Sequence, residues 1–315
     1  MTAVRIPPVA AEVVAVRPGS PLAGSITVDG SKNAALPLLA AAAARNALGA
    51  FGLASGLLQV ALALWASIKL TSHDRWVLLL SLLGFSLVFG LIRAWPRREA
   101  SREFGSPDIT VRVMVGDLFE QQTHLVIGFN DLFDTDTTNN VVINQTSVQG
   151  QFQDRIYGND LVRLDAELAA TLASEVVTET EDVSVKPVGK RDRYPIGTVA
   201  VLGDPARHFF CVAYSKMENN LIANSNVDFL WQSLGAVWEA AYVRGQRKEI
   251  SIPIVGSELA RVACLNRESL LKMILLSFVA RSRQSVICKQ LTIVIHPKDY
   301  YHINMLEVAA FLRTL

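Results

Sequence analysis

The sequence has few of the residues from which disulfide frameworks, metal centres and nucleic-acid surfaces are built. Its three cysteines, Cys211, Cys264 and Cys288, form no CxxC pair, so neither a disulfide framework nor a zinc knuckle is expected. The five histidines form no HExxH pattern, and we predict no metal site. The net charge is only +1, which gives no global basic field for nucleic acid. Internal repeats are also lacking.

Apolar residues make up 50% of the chain and are concentrated in two consecutive stretches, residues 47–70 and 76–95. Each is about 20 residues long, the length with which an α-helix crosses a hydrocarbon core of about 30 Å. Only residues 71–75 separate them, so the two helices are expected to be antiparallel. Both are apolar all round, which argues against a buried helical pair in a soluble domain. We therefore predict a transmembrane hairpin.

Charges and small residues around this hairpin indicate its orientation and its packing. A basic cluster follows the second stretch: Arg93, Arg97, Arg98 and Arg102. By the positive-inside rule, both termini are expected in the cytoplasm of a multi-pass protein of the bacterial inner membrane. No charge lies deep within either stretch, so a transport pathway is not indicated. Gly52 and Gly56 form a G-x-x-x-G pattern, which either mediates close helix association or reflects the abundance of glycine in membrane spans.

From residue 109 onward, short apolar strands alternate with helical segments. Strands are predicted at residues 109–115, 124–129, 141–144, 198–202, 208–214, 249–255 and 291–296, and helices at residues 163–174, 227–243, 267–282 and the C-terminus. This alternation predicts an α/β fold, a three-layer mixed sheet with helices on both faces. Residues 96–108, with two prolines, a glycine and mixed charge, are predicted to be a linker.

Three loops of the α/β region are candidates for ligand binding. Residues 115–118 place an acid, Asp117, directly after a strand, where its carboxylate can accept a hydrogen bond from a base amino group. Residues 147–152 and 255–259 are rich in small and polar residues, and backbone N–H groups at such strand-to-helix crossings can hold phosphates. Ligands of α/β sheets usually lie at the carboxyl ends of strands. The alternative for each loop is an ordinary turn.

The order of strand–VGDLF, strand–IGFND, small-residue loop, helix and strand–IPIVGS resembles a macro domain, the ADP-ribose-binding module. With the hairpin in front, residues 47–315 resemble the macro-domain effector of type II Thoeris anti-phage systems. The resemblance implies that Asp117 reads the adenine, that residues 129–131 lie near the distal ribose, and that the other two loops hold the diphosphate. The implied ligand-binding residues are Asp117, Leu118, Phe129, Asn130, Ser147, Val148, Gln149, Gly150, Val255, Gly256, Ser257, Glu258 and Leu259.

The same resemblance implies a sensor and effector rather than an enzyme. The Asn-Ala-Ala-Asn of macro domains is missing, as is the triple glycine of the first phosphate loop, so no catalytic residue and no cofactor are expected. The implied ligand is an ADP-ribose derivative, histidine-ADP-ribose, made by a partner TIR-domain enzyme. Binding would drive homo-oligomerisation and disruption of the lipid bilayer. The rivals are a membrane-anchored ADP-ribosyl hydrolase, using Glu258, Asp131 or Asp136, and a passive tethered binding module.

The N-terminal segment before the hairpin has a resemblance of its own. Residues 16–44 resemble the start of UDP-N-acetylglucosamine enolpyruvyl transferase, whose pattern includes the Lys32-Asn33 pair that contacts substrate in that family. One strand and one helix cannot bury a core alone, so we interpret residues 1–46 as an arm, either disordered or a fused fragment. Alternatively, its alanine-rich part extends the first membrane helix. The predicted organisation is thus arm 1–46, hairpin 47–95, linker 96–108 and macro-like domain 109–315.

Overall fold

The computed structural model describes residues 30–64, 71–94, 98–257 and 264–315. Within these ranges, two long apolar helices precede an α/β domain. The helices are α1 (Gly30–Leu64), α2 (Ser72–Ala94), α3 (Val148–Tyr157), α4 (Leu161–Leu172), α5 (Val227–Arg244), α6 (Arg267–Gln284) and α7 (Met305–Thr314), with 3-10 helices at Thr138–Asn140 and Pro297–His302. The strands are β1 (Glu99–Gly105), β2 (Asp108–Val115), β3 (His124–Asn130), β4 (Glu179–Thr180), β5 (Asp192–Arg193), β6 (Val199–Asp204), β7 (Arg207–Met217), β8 (Ala223–Asn224), β9 (Ile250–Pro253) and β10 (Gln290–Ile295).

The main sheet has the strand order β1-β2-β10-β9-β3-β7-β6, with β8 paired to β7. Strands β2, β10, β9, β3 and β7 are parallel, and Ile293 of β10 aligns with both Val113 of β2 and Ile252 of β9. Strands β1 and β6 run antiparallel at the two sides. Because the five central strands are parallel, their carboxyl ends meet at one edge of the sheet. A separate hairpin, β4–β5, lies between α4 and β6.

Alternating side chains divide the core between the two faces of the sheet. In β3, Leu125, Ile127 and Phe129 pack with α3 and α4, whereas Val126 packs on the other face with α5, α6 and α7. All four are buried, so β3 is a central strand covered on both faces, as parallel strands require. The predicted three-layer α/β fold is therefore confirmed.

Two predictions for the start of the domain need correction. Residues 96–108 were expected to be a linker, but β1 lies within them and pairs with β2 along its whole length. Its alternate residues Ala100 and Phe104 fill the core, and Arg102 stacks on Phe104 and donates to the carbonyl of Leu312. Arg102 thus belongs to the folded domain and not to the flank of a membrane helix. Charged and turn-forming residues hid the strand because only its inward positions are apolar.

The strand predicted at residues 141–144 is wrong. This segment follows the 3-10 helix Thr138–Asn140, in which Asn139 has a left-handed backbone with φ of 53°. Val142 and Ile143 are buried against Leu132 and Met217 without joining a sheet. A buried loop needs apolar residues just as a buried strand does. A short apolar run in the sequence therefore does not distinguish a strand from a buried loop.

The two apolar helices are longer than, or displaced from, the predicted spans. Helix α1 is continuous from Gly30, in agreement with the alternative in which the alanine-rich segment extends the first apolar helix. It packs against α2 where a Cβ on Gly90 would meet the carbonyl oxygen of Ala43 at 2.6 Å and Cβ of Ala47 at 2.8 Å. Helix α1 also contacts the 3-10 helix Pro297–His302 of the α/β domain.

In the part of the chain that the structure describes, one helical stretch, His73–Ile92, is long and apolar enough to cross a membrane. Its mean hydropathy is 2.1, and 11% of it is buried. Residues 1–29 of the predicted arm, residues 65–70 at the end of the first predicted span and Trp95 at the end of the second lie outside the described residues. Helices α1 and α2 pack against each other. Their insertion into a membrane stays a prediction.

Candidate functional site

A cleft of about 910 Å³, including its solvent-open mouth, lies at the carboxyl ends of the central strands. Segments that follow β3, β9 and β10 meet there with the first turn of α3 and the end of β7. The described residues that line it are Gly128, Phe129, Asn130, Val142, Ile143, Asn144, Ser147, Val148, Gln149, Tyr214, Ser215, Met217, Ala223, Pro253, Ile254, Val255, Gly256, Ser257, Val294, His296 and Asp299. Eight of the predicted ligand-binding residues are among them.

The end of β3 contributes Asn130, whose side chain is held rigidly. Its Oδ1 accepts the N–H groups of Leu132 and Asp134, both at 3.1 Å, and its Nδ2 donates to a carboxylate oxygen of Asp134 at 3.2 Å. The turn that follows passes through Phe133, which has a φ of 50° and packs face to face with Phe129. Asn130, which was predicted to bind the ligand, therefore lines the cleft with its amide fixed.

The second predicted loop is instead a helix start. Ser147 is the N-cap of α3, with Oγ accepting the N–H of Gly150 at 3.0 Å and donating to the carbonyl of Asn144 at 2.6 Å. Val148 and Gln149 form the first turn, whose N–H groups have no partner within the helix. These two N–H groups and the positive end of the helix dipole adjoin the cleft, which makes this turn suited to an anion.

The third loop follows β9. Gly256 has a φ of 81°, a left-handed conformation that glycine adopts without strain. The Ser257 hydroxyl donates to the carbonyl of Ile254 at 2.7 Å and closes the turn. Val255, Gly256 and Ser257, which were predicted to bind the ligand, line the cleft. Glu258 and Leu259, the two remaining predicted residues of this loop, lie outside the described residues.

Two predicted residues at the end of β2 do not line the cleft. The carboxylate of Asp117 forms an ion pair with Arg155 and accepts the N–H of Phe119 at 2.8 Å. Burial alone would raise the pKa of Asp117, but these two hydrogen bonds outweigh it and hold the pKa below its ordinary value. Leu118 is buried in the core beneath α3.

Gly150 has a packing role in this structure. A Cβ at Gly150 would meet the carbonyl oxygen of Asn144 at 2.4 Å and Cα of Gln145 at 2.6 Å. The residue thus allows the first turn of α3 to lie directly on the preceding backbone, and it does not line the cleft.

The acids considered for hydrolysis are engaged elsewhere. The buried carboxylate of Asp131 pairs with Arg193 at 2.6 Å and accepts the N–H of Met217 at 2.8 Å. Asp136 is hydrogen-bonded by the side chain of Thr138 and accepts its N–H at 2.8 Å, and these two interactions hold the pKa of Asp136 below the ordinary value. Neither lines the cleft. Among the described residues the cleft contains one carboxylate, Asp299, and this is ion-paired with Arg267 at 2.9 Å.

Sequence reasoning missed the contribution of β10 and β7. His296 follows β10 directly, and its Nδ1 accepts the N–H of Lys298 at 3.2 Å, which leaves Nε2 for a ligand. The strand at residues 291–296 was predicted, so the rule that strand ends carry sites would have found His296. Tyr214, Ser215 and Met217 gave no such signal, because they lie within β7 and approach the cleft only through its pairing with β3.

Over the same described ranges, no group of three or more His, Cys, Asp or Glu side chains is placed to hold a metal ion. Cys211 and Cys288 are buried, and burial raises the pKa of both thiols. Cys264 is exposed. No sulfur-based chemistry is therefore indicated at the cleft.

Comparison with known families gives one strong match. The family model described as "Thoeris protein ThsA, Macro domain" matches residues 111–296, which is more than half of the chain. No curated protein sequence gives a significant match.

Among solved structures, similar chains include a mutant of the Oceanobacillus iheyensis macrodomain, with 14% identity, a TM-score of 0.47, and coverage of 69% of this chain and 100% of that one. The same macrodomain with ADP gives 12% identity, a TM-score of 0.40, and coverage of 70% and 100%. A mutant of tomato leucine aminopeptidase gives 14% identity, a TM-score of 0.36, and coverage of 67% and 38%.

Proposed function

The chain belongs to the family of the Thoeris protein ThsA macro domain, and on this premise we propose that its cleft binds an ADP-ribose-type nucleotide as a signal. Macro domains are ADP-ribose-binding modules, and the match covers every residue that lines the cleft except Asp299. The observation that carries the proposal is the convergence of the segments after β3, β9 and β10 with the N-terminus of α3.

The parts of the cleft fit the parts of such a nucleotide. The free N–H groups at the start of α3 and the turn at Gly256 suit a diphosphate, since both present backbone donors to an anion. The second Nδ2–H of Asn130 suits a ribose hydroxyl, whose oxygen can accept it. The apolar wall of Val142, Ile143 and Met217 suits the face of a ring.

We also propose that the protein is a membrane-anchored effector rather than an enzyme. Helices α1 and α2 expose large apolar side chains over most of their surface, which a lipid environment would cover: Leu48, Leu53, Leu57, Trp76, Leu80, Phe85 and Ile92 are among the most exposed. In this proposal a TIR-domain enzyme makes an ADP-ribose derivative such as histidine-ADP-ribose. Binding then favours a homo-oligomer whose hairpins disrupt the inner membrane. The arrangement retains both termini in the cytoplasm.

The alternative is a membrane-anchored ADP-ribosyl hydrolase. The binding proposal is favoured by the engagement of Asp131 with Arg193 and of Asp299 with Arg267, because neither carboxylate is left to activate water. Glu258 stays a candidate for the hydrolase. Incubation of the purified protein with ADP-ribosylated protein, followed by mass spectrometry, separates the two. A protein that only binds the nucleotide should release no ADP-ribose. Release of many ADP-ribose molecules by each protein molecule would favour the hydrolase.

The direct test of the signal is mass spectrometry of the nucleotide retained by the full-length protein, purified in detergent after coexpression with a TIR enzyme. We expect an ADP-ribose derivative at close to one per chain. The control is coexpression with a catalytically dead TIR enzyme, which should leave the protein without it. The proposal would be contradicted if the protein retained no nucleotide with either TIR enzyme and calorimetry showed no binding of ADP-ribose.

A further inference from the structure

A fully buried lysine lies beneath the cleft. Lys186 is in the segment between α4 and β6, residues 173–198, which crosses the domain surface and contains the β4–β5 hairpin. Its side chain and that of Asp134 both have no exposed surface, and Lys186 Nζ lies 3.4 Å from Asp134 Oδ2. Charged side chains this deep are rare and costly unless they are paired and hydrogen-bonded.

The loop around Lys186 is built to hold this pair. Lys186 Nζ donates to the carbonyl oxygens of Val188 at 2.8 Å and Lys190 at 2.7 Å, and the N–H of Lys190 donates to Asp134 Oδ1. Gly189 has a φ of 82°, and a Cβ there would meet Asp134 Oδ1 at 2.4 Å and Lys186 Nζ at 2.7 Å. The loop therefore closes on the ion pair with no room for a side chain.

The other side of Asp134 contacts two residues of the cleft. One carboxylate oxygen accepts the Nδ2–H of Asn130, and the carbonyl of Asp134 accepts the Nε2–H of Gln149. The N–H of Asp134 donates in turn to Asn130 Oδ1. The orientations of both cleft amides thus depend on Asp134 as an acceptor.

We infer that Lys186 is a positioning residue of the cleft, which keeps Asp134 in place as an acceptor and thereby fixes the amides of Asn130 and Gln149 toward the ligand. This inference rests on the proposed function, because its first test measures the affinity of the cleft for a nucleotide. A stability role alone explains the pair poorly, because a buried ion pair is often no more stabilising than well-packed apolar side chains. What an apolar pair could not supply is a carboxylate acceptor for Asn130.

The electrostatics of the site give the inference a specific signature. Burial raises the pKa of Asp134, and the charge of Lys186 works against that rise. The neighbouring cations are committed elsewhere, since Lys190 pairs with Asp165 and Arg193 pairs with Asp131. Without Lys186, the pKa of Asp134 would rise further, so its carboxyl would stay protonated up to a higher pH. A carboxyl protonated on Oδ2 presents an O–H donor to Asn130 Nδ2, itself a donor, so one of the three hydrogen bonds that orient the amide is lost.

The test compares Lys186→Met and Asp134→Asn in the full-length protein in detergent, with ADP-ribose as the probe in calorimetry. Compared at a lower and a higher pH, and relative to the wild type at each, Lys186→Met should lose at least about tenfold in affinity at the lower value and regain part of it at the higher one, because a rise in pH ionises the carboxyl of Asp134 again. Asp134→Asn should lose affinity at both values. The double variant should lose no more than Asp134→Asn alone, since both changes act through one group.

The control for simple destabilisation is Leu275→Ala, a buried position of α6 in the core on the far face of the sheet. It should lower Tm without changing affinity. Equal losses of affinity in Leu275→Ala and Lys186→Met, a Lys186→Met loss that is independent of pH, or unchanged affinity in folded Lys186→Met would each overturn the inference.

If the wild type does not bind ADP-ribose at all, the proposed function fails, and hydrogen exchange without ligand decides the inference. The N–H groups of Leu132 and Asp134 are bonded to Asn130 Oδ1. Exchange over residues 130–134 should rise in Lys186→Met and stay unchanged in Leu275→Ala. Unchanged exchange in Lys186→Met would overturn the inference in that case.

Discussion

Three aspartates at or just after strand ends in this domain each face a cation, and their exposure separates their roles. Asp131 pairs with Arg193 and Asp134 with Lys186, at side-chain exposures of 5% and 0%. The side chain of Asp117 is 35% exposed in its pair with Arg155. Only an exposed pair can exchange its partner at modest cost, since breaking a buried pair leaves an uncompensated charge. Asp117 is therefore the carboxylate of the three that suits a ligand.

We predict that Asp117→Ala weakens ADP-ribose binding by roughly 1–3 kcal/mol, the cost of leaving a buried base donor unpaired. Calorimetry on the full-length protein measures this. The matched control is Asp204→Ala, which removes another turn-capping aspartate, bonded to the N–H groups of Ala206 and Arg207 at the β6–β7 turn. Asp204→Ala should leave affinity unchanged. If Asp117→Ala lowers Tm as Asp204→Ala does and binds normally, Asp117 is a structural cap and the adenine assignment is lost.

At the scale of elements, the position of α3 decides much of the cleft. Its first turn supplies Val148, Gln149 and the free N–H groups, and it can approach the cleft only because Gly150 has no side chain. The turn thus depends on close backbone packing against residues 144–145. Such packing is intolerant of added volume, because the neighbouring atoms belong to backbone and cannot rotate away.

We accordingly predict that Gly150→Ala destabilises the protein by about 1–3 kcal/mol and weakens nucleotide binding, because the new methyl group displaces α3. Gly235→Ala in α5 is the matched control, since a Cβ there meets nothing within 4 Å. It should be stabilising by about 0.5–1 kcal/mol through helix propensity. Thermal unfolding measures both changes. Equal effects of the two substitutions would show that the contact of Gly150 with Asn144 is not a constraint in solution.

The strand β1 determines where the α/β domain can be separated from the apolar helices. Full-length protein should fractionate with the inner membrane, resist a carbonate wash and release only with detergent. We predict that residues 98–315 are soluble and folded, whereas residues 109–315 aggregate, because loss of β1 exposes the edge of β2 and uncovers the core beneath Ala100 and Phe104. Size-exclusion chromatography compares the two. Recovery of full-length protein in the cytosol would instead contradict the membrane hairpin.

The whole molecule joins a ligand-binding domain to an apolar helical pair, and the two touch where α1 contacts the 3-10 helix Pro297–His302. That helix also lines the cleft through Asp299. A ligand can drive assembly only if it binds the assembled state better than the resting one. Contact between the ligand site and the apolar helices provides a physical route for such a difference.

We predict that Gly52→Leu or Gly56→Leu abolishes toxicity in cells that make the signal and leaves nucleotide binding unchanged. A Cβ at either position meets nothing within 4 Å, so the G-x-x-x-G face is not used in packing α1 on α2 and is open to another copy. Gly84→Leu, at an equally open position of α2, is the control and should remain toxic. Full toxicity of the Gly52 and Gly56 variants would exclude this face from assembly. Toxicity after hairpin deletion would favour the hydrolase alternative.

The sequence by itself determined the α/β class, most helices and strands, and the loops after β3 and β9, because local periodicity and strand ends are written in consecutive residues. It missed β1, whose inward residues Ala100 and Phe104 are outnumbered by polar ones, and it read the buried loop at Val142 and Ile143 as a strand. In both segments the apolar residues are those that are buried, and the burial of a few residues does not show whether a segment is a strand or a loop.

Only the tertiary structure decided which candidate residues share the cleft. Asp131 follows Asn130 directly, yet Asn130 lines the cleft while Asp131 is sequestered by Arg193, 62 residues away. Lys186 reads as a loop residue and is buried because Asp134 lies below it, 52 residues earlier. Such pairings depend on long-range packing and on the cost of leaving a charge unpaired, and neither is encoded in spacing along the chain.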